Sequence, residues 1–98
     1  MTSARWHPSA EAELNDVAAF YVARDVPSVA TAFVDEVQRI VELVCATPTG
    51  GAPLRDGLRK WRLHGFPYSI IYRDKGDHIR VLAVAGDRQR PFYWRRRA

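Results

Sequence analysis

Arginine and aromatic side chains crowd the last part of the chain, residues 86–97. This stretch holds five arginines and one aspartate, a surplus of four positive charges that equals the formal net charge of +4 for the whole protein. A guanidinium group grips phosphate or carboxylate through paired hydrogen bonds, and aromatic rings stack on unpaired bases. The stretch therefore predicts a surface that binds an anionic target, with these contact residues: Arg88, Arg90, Phe92, Tyr93, Trp94, Arg95 and Arg96.

Some of these side chains could also perform chemistry on RNA. Cleavage of a phosphodiester needs a base, cations for the developing charge and an acid for the leaving oxygen. Arg88, Tyr93 and Arg62 are the candidates if the protein is a nuclease, and Arg59 and Lys60 add cations beside Arg62. The structural alternative is a solvated arginine tail, with the aromatic rings covering an edge of the core. The catalytic residues therefore stay unknown at this point.

Charge is distributed unevenly along the chain. Residues 1–54 carry three arginines and seven acids, a net charge of −4, whereas residues 55–98 carry twelve arginines or lysines and four acids, a net charge of +8. Such asymmetry indicates an anionic partner, either a nucleic acid or an acidic polypeptide.

Several function classes lack their signatures. The three histidines match no metal-binding spacing, no serine stands in a nucleophile elbow, and the loop at residues 47–53 lacks the Gly-Lys-Ser/Thr ending of a phosphate-binding loop. The single cysteine allows no internal disulfide, and no apolar run approaches the ~20 residues that span a bilayer. We expect a cytoplasmic protein of one domain, residues 1–98, with no cofactor, no metal and no membrane contact.

Two helices are predicted in the first half of the chain. Pro8 and Ser9, followed by acids, are typical of a helix start with Ser9 as a cap, and apolar residues then recur at helical spacing as far as Tyr21. Pro27 can begin a second helix that runs to about Ala46, with its apolar stripe at these residues: Val29, Phe33, Val37, Ile40, Val41 and Val44. The short connection predicts an antiparallel helical hairpin whose acids, Glu13 among them, point to solvent.

Strands account for the remainder. Residues 2–7 suggest a short first strand, and three strand-like runs follow the loop, at residues 58–64, 66–73 and 78–85. Turns this short join antiparallel neighbours. The order strand, helix, helix, strand, strand, strand predicts an α+β fold, with the hairpin packed on one face of a curved antiparallel sheet and the other face free for function.

Three stretches together resemble the toxins of the RelE/ParE superfamily of type II toxin–antitoxin modules. They are Phe66-Pro67-Tyr68-Ser69-Ile70-Ile71-Tyr72-Arg73, Ile79-Arg80-Val81-Leu82-Ala83-Val84-Ala85 and Arg88-Gln89-Arg90-Pro91-Phe92-Tyr93-Trp94. The similarity extends through both helices and covers nearly the whole chain. It implies the same α+β fold, with a short first strand and a helical hairpin against the sheet.

The resemblance also implies partners and a target. Such a toxin is neutralised by a cognate, often acidic antitoxin, which supplies the contact with operator DNA. The toxin itself is implied to take part in plasmid stabilisation. The superfamily divides into ParE-type toxins, which poison DNA gyrase, and RelE-type toxins, which cleave mRNA on the ribosome. A degenerate, inactive toxin or a plain nucleic-acid-binding module is the third possibility.

Two positions separate these branches here. Ser69 stands where a RelE-type nuclease often has an arginine, and Gly86 stands where many relatives have a histidine, although Arg88 and Tyr93 match positions that some nucleases use. The resemblance therefore favours a ParE-like, non-nucleolytic toxin, with mRNA cleavage as the alternative.

Overall fold

The computed structural model describes residues 2–97 and contains two helices and a five-stranded sheet. In chain order the elements are β1 (Ser3–Trp6), α1 (Pro8–Ala23), α2 (Pro27–Ala46), β2 (Ala52–Pro53), β3 (Leu58–Arg62), β4 (Tyr68–Asp74) and β5 (His78–Gly86). The predicted α+β class and the order of its main elements are confirmed. The two-residue strand β2 was not predicted, because Pro53 and the glycines before it are typical of a loop. Within residues 2–97, neither helix is long and apolar enough to cross a membrane.

The sheet is mixed, whereas the sequence predicted an antiparallel one. Its strand order is β1-β5-β4-β3-β2, and β1 pairs with β5 in parallel, with Arg5 opposite Arg80 and Trp6 opposite Val81. A parallel pair needs a long crossover, which the intervening helices and strands provide. The bond from His7 N to Val81 O, 2.8 Å, ends this ladder. Beyond Val81, no strand within residues 2–97 pairs with β5 on its β1 side.

The helix starts also differ from the prediction. The cap of α1 is His7, whose Nδ1 accepts a hydrogen bond from Ser9 N at 3.0 Å, so Ser9 is already helical. At the start of α2 the cap position is Val26, whose side chain makes no capping hydrogen bond. Asp25 forms the tight turn before it, with a φ of +59°. Pro27, at the first helical position, has no backbone N–H to satisfy, and Val29 N and Ala30 N both donate to Val26 O, so the first turn is partly satisfied without a side-chain cap.

The first core lies between the helices and the sheet. The predicted stripe of α2 is buried at Phe33, Val37, Ile40 and Val44, while Val29 and Val41 are partly exposed at its margins. Phe33 is fully buried and contacts the rings of Tyr21, Phe66 and Tyr68 at centroid distances of 5.3 to 6.1 Å. This cluster fixes the helical hairpin on the sheet.

The second face of the sheet, the one turned away from the helices, is covered at its centre. Its buried residues form a separate cluster: Leu58, Ile71, Leu82, Ala83, Ala85 and Trp94. The prediction of a free face is therefore wrong here. Because β4 carries apolar residues on both sides, with Ile70 and Ile71 each at 0% exposure, the second face also needs a cover, and the C-terminal residues supply it.

The loop before β2 is fixed by a close backbone approach. Gly51 N donates to Tyr72 Oη at 3.0 Å, and Tyr72 Oη donates to Pro48 O at 2.7 Å. A Cβ atom at position 51 would lie 2.5 Å from that hydroxyl. The glycine therefore allows the loop to approach the sheet closely at Tyr72.

Candidate functional site: the C-terminal segment

The C-terminal segment, residues 87–97, folds as a series of turns across the second face. Trp94 anchors it, with only 7% of the residue exposed and the indole packed among Ile71, Ala83 and Ala85. Tyr93 meets Trp94 edge to face at 5.1 Å, and Phe92 lies 5.7 Å from it. Trp94 was predicted to contact the target, but its burial makes it the residue that holds the segment in place.

Phe92 shapes the turn before this anchor. Its φ of +59° is rare for a residue with a Cβ atom, so the contacts around it must hold the turn against strain. The guanidinium of Arg55 stacks on the Phe92 ring at 4.6 Å. Phe92 is half-buried, so it serves the segment's shape while part of the ring stays available to a partner.

Glu13 of α1 is the second anchor of the segment. Its Oε2 accepts from Tyr93 Oη at 2.7 Å, and its Oε1 accepts from Arg97 Nη1 at 2.8 Å and from Val84 N at 3.1 Å. Arg97 Nη1 also donates to Leu82 O at 3.1 Å. Glu13 therefore occupies the edge of β5 that β1 leaves unpaired, and it ties the C-terminal segment to a helix.

The prediction that Glu13 points to solvent is wrong. Its side chain is 18% exposed, and that of Arg97 is 19% exposed. Glu13 lies three residues after Ala10 and four before Val17, a spacing that places it beside the apolar stripe of α1. That spacing is the one signal in the sequence that pointed to a partly buried acid.

Tyr93 is held in its protonated form. Burial raises the pKa of its hydroxyl well above the ordinary value of a tyrosine, and the bond to the Glu13 carboxylate raises it further. The hydroxyl is thus a hydrogen-bond donor committed to Glu13, with Gln89 Oε1 also 3.3 Å away. In this arrangement Tyr93 is unsuited to act as a base at neutral pH.

The first residues of the segment are fastened to the sheet by Arg62 and Gln89. Arg62 Nη1 lies 2.8 Å from Asp87 Oδ1, and this bond lowers the pKa of Asp87. Gln89 Oε1 accepts from Gly86 N at 2.6 Å, and Asp87 N donates to Pro67 O at 3.0 Å. Arg62, a candidate in the nuclease interpretation, is therefore engaged in an ion pair.

Four of the predicted contact residues remain available to a partner. Within residues 2–97 none of the following side chains makes a hydrogen bond or an ion pair, and all four residues are exposed: Arg88, Arg90, Arg95 and Arg96. Arg88 lines a cleft of about 510 Å³ together with Tyr68, Gln89 and Glu13. The structure thus presents four unpaired cations on a segment that is anchored at Trp94 and at Glu13.

The two positions that separate the toxin branches are both closely packed. Ser69 lies on the second face opposite Ala85, is 1% exposed, and its Oγ has no hydrogen-bond partner within the described residues. A Cβ atom on Gly86 would lie 3.2 Å from Gln89 Oε1 and 3.3 Å from the Tyr68 ring. An arginine at position 69 does not fit this arrangement, and a histidine at position 86 would require the Gln89 and Tyr68 side chains to shift by a few tenths of an ångström. Across residues 2–97, no three His, Cys, Asp or Glu side chains form a group that could hold a metal ion.

Comparison with known proteins shows which proteins share this architecture. A family model described as ParE toxin of type II toxin–antitoxin system, parDE, matches residues 4–91. A solved structure described as the chromosomal ParDE TA system from P. aeruginosa superposes with a TM-score of 0.76 at 28% identity, covering 88% of this chain and 96% of that chain. No curated protein matches the sequence. The chain belongs to the ParE toxin family of type II toxin–antitoxin systems, as its three motif stretches suggested.

Proposed function

We propose that this toxin inhibits growth by acting on DNA gyrase, and that the C-terminal segment engages the target through Arg88, Arg90, Arg95 and Arg96. The observation that carries the proposal is the pairing of four exposed, unpaired arginines with a segment anchored at two points, Trp94 and Glu13. An anchored cation loses less conformational freedom when it binds than one on a free tail, so its contacts contribute more affinity.

The state of the nuclease candidates also supports a non-nucleolytic toxin. Arg62 is paired with Asp87, the Tyr93 hydroxyl is committed to Glu13, and position 69 carries a small buried serine. Arg88 is then the one candidate without a partner among the described residues, and a single guanidinium supplies neither a base nor an acid at neutral pH.

The partner we propose is a cognate acidic antitoxin that neutralises the toxin and carries the contact with operator DNA. The net charge of +8 over residues 55–98 favours encounter with an acidic chain. Apolar anchors are available in two grooves beside β1, of about 730 and 780 Å³, which share Val41 and the acidic Glu42. The toxin would meet gyrase and antitoxin alike in the cytoplasm.

The test uses the purified toxin in two assays. Gyrase supercoiling with detection of cleaved DNA should respond to the toxin, and Arg88→Ala with Arg90→Ala should weaken that response at least tenfold. The matched control is Arg24→Ala, an exposed arginine on α1's end that lies outside the segment. Cleavage of mRNA on translating ribosomes, lost in Arg88→Ala, would refute the gyrase assignment in favour of the RelE-type activity.

A further inference from the structure

A surface cleft of about 510 Å³ lies between α1 and the first residues of the C-terminal segment. Helix α1 contributes Asp16 to its lining, and the segment contributes Arg88; both residues are exposed. The less exposed residues of the lining include Val17, Tyr68 and Val84, which are apolar or aromatic. The cleft therefore has charges of both signs at its rim and apolar surface at its base.

The other charged side chains of the cleft already have partners. Glu13 accepts hydrogen bonds from three donors, one of them an arginine, and Asp87 is paired with Arg62. Asp16 and Arg88 differ, because within residues 2–97 neither side chain makes a hydrogen bond or an ion pair. The cleft thus offers one unpaired carboxylate and one unpaired guanidinium to a partner.

Hydrogen bonds fix the shape of the cleft on the side of the segment. Asp87 N donates to Pro67 O at 3.0 Å, and Gln89 Oε1 accepts from Gly86 N at 2.6 Å. Tyr68 of β4 is opposite Gly86 of β5 in the sheet, so the base of the cleft belongs to a paired region of two strands. A partner therefore meets a preformed surface and orders little of the chain when it binds.

The charges of the cleft decide which class of partner fits. A nucleic-acid backbone carries negative charge alone, so Asp16 would repel it. A polypeptide can supply a cation for Asp16 and a carboxylate or carbonyl oxygen for Arg88, and the aliphatic stem of a lysine or arginine can lie along Val17 and Tyr68. Since the charged rim is exposed, the cleft suits a side chain presented by a larger partner better than an enclosed small molecule.

We propose that this cleft binds a polypeptide segment of the target and that Asp16 receives a lysine or arginine side chain of that segment. The inference rests on the proposed function, with gyrase as the target, and deepens it. Arg88 then contacts the protein part of the target, and Asp16 is a target-binding residue that lies outside the C-terminal segment. An acidic antitoxin offers few cations for Asp16, so the target is the better match for this cleft.

The experiment measures the affinity of the full-length toxin for immobilised, purified gyrase by biolayer interferometry, with and without duplex DNA. Asp16→Asn should weaken binding about tenfold in both conditions, because it removes a charge-assisted hydrogen bond that the partner covers in the complex. Asp16→Glu keeps the carboxylate and should retain most of the affinity. Asp16 has no partner within the described residues, so Asp16→Asn should also unfold in urea like the wild type.

The matched control is Asp35→Asn, which removes the same charge from an exposed position on α2 outside the cleft and should leave the affinity unchanged. Wild-type affinity in Asp16→Asn, or an equal loss in Asp35→Asn, would overturn the assignment of the cleft and leave the gyrase proposal intact. Tighter binding of Asp16→Asn would overturn it as well, because an anionic group of the target would then lie at this position. Absence of any binding or inhibition by the wild-type toxin would instead refute the proposed function, and with it the partner named for the cleft.

Discussion

Removal of the Glu13 carboxylate should release the C-terminal segment from the body of the protein. Glu13 accepts hydrogen bonds from Val84 N, Tyr93 Oη and Arg97 Nη1, so Glu13→Ala removes the acceptor of three donors at once. The segment would then be held by Trp94, by the Arg62 to Asp87 pair, by the Asp87 N to Pro67 O and Arg97 Nη1 to Leu82 O bonds, and by the stacking of Arg55 on Phe92. We expect lower stability and weaker target inhibition together.

The size of the loss in unfolding free energy depends on whether each of the three donors finds another acceptor. Val84 N lies at the edge of β5 where no strand among the described residues pairs, and a donor left unsatisfied there costs about 1–3 kcal/mol. The pair with Arg97 is about one fifth exposed on each side and contributes about 1 kcal/mol after screening. Tyr93 Oη can turn to Gln89 Oε1 at 3.3 Å and loses little. The total for Glu13→Ala is roughly 2–4 kcal/mol.

Two measurements check this estimate. Urea unfolding gives the free energy change, and hydrogen exchange reports the Val84 amide, which should exchange faster in Glu13→Ala. Glu13→Gln keeps an acceptor for Val84 N but loses the charge, so it should cost only about 1 kcal/mol. Glu42→Ala, an exposed acid on α2, is the control and should stay within about 0.5 kcal/mol of wild type. Unchanged exchange at Val84 in Glu13→Ala would refute the anchoring role.

Three further substitutions test other parts of the fold. Phe33→Ala should lower the free energy of unfolding by about 3–5 kcal/mol in urea, since the residue is fully buried among aromatic rings, and a loss below about 1 kcal/mol would contradict its core placement. The pKa of Tyr93 is raised in the folded state, so the contribution of Tyr93 to the free energy of unfolding is complete below pH ~10. This contribution falls above that pH, because the unfolded chain loses the proton first. Tyr93→Phe should reduce the alkaline loss of stability by up to about 1.4 kcal/mol per pH unit, and identical pH profiles for the two proteins would count against this. Gly51→Ala should cost about 1–3 kcal/mol by overpacking, with partial recovery in a double variant with Tyr72→Phe, and strictly additive effects would exclude the clash.

Sequence periodicity predicted the elements that bury regular apolar stripes. The α2 stripe around Phe33 predicts a helix and the apolar run in β4 predicts a strand, because both patterns depend only on local spacing in the sequence. The parallel pairing of β1 was missed because four residues carry too little pattern to set a direction. The role of Glu13 was also missed, since its partners Val84, Tyr93 and Arg97 are 71 to 84 residues away in the chain. Contacts between side chains at such separations leave no periodic signal.

The small residues at positions 69 and 86 and the buried Trp94 are parts of one arrangement. Trp94 can lie on the second face because that face offers small side chains, Ala83, Ala85 and the buried Ser69. An arginine at position 69 would need the space under the segment and would force the indole out. Gly86 in the same way leaves room for Gln89, which bonds back to Gly86 N and turns the chain onto the sheet. Ser69 and Gly86, which in the sequence suggest the loss of nuclease residues, therefore allow the segment to pack on the sheet. In this packing the unpaired arginines Arg88 and Arg90 are exposed. Substitution Ser69→Arg should accordingly expose Trp94, seen as a red shift of tryptophan fluorescence, whereas Ser69→Ala should leave the spectrum unchanged.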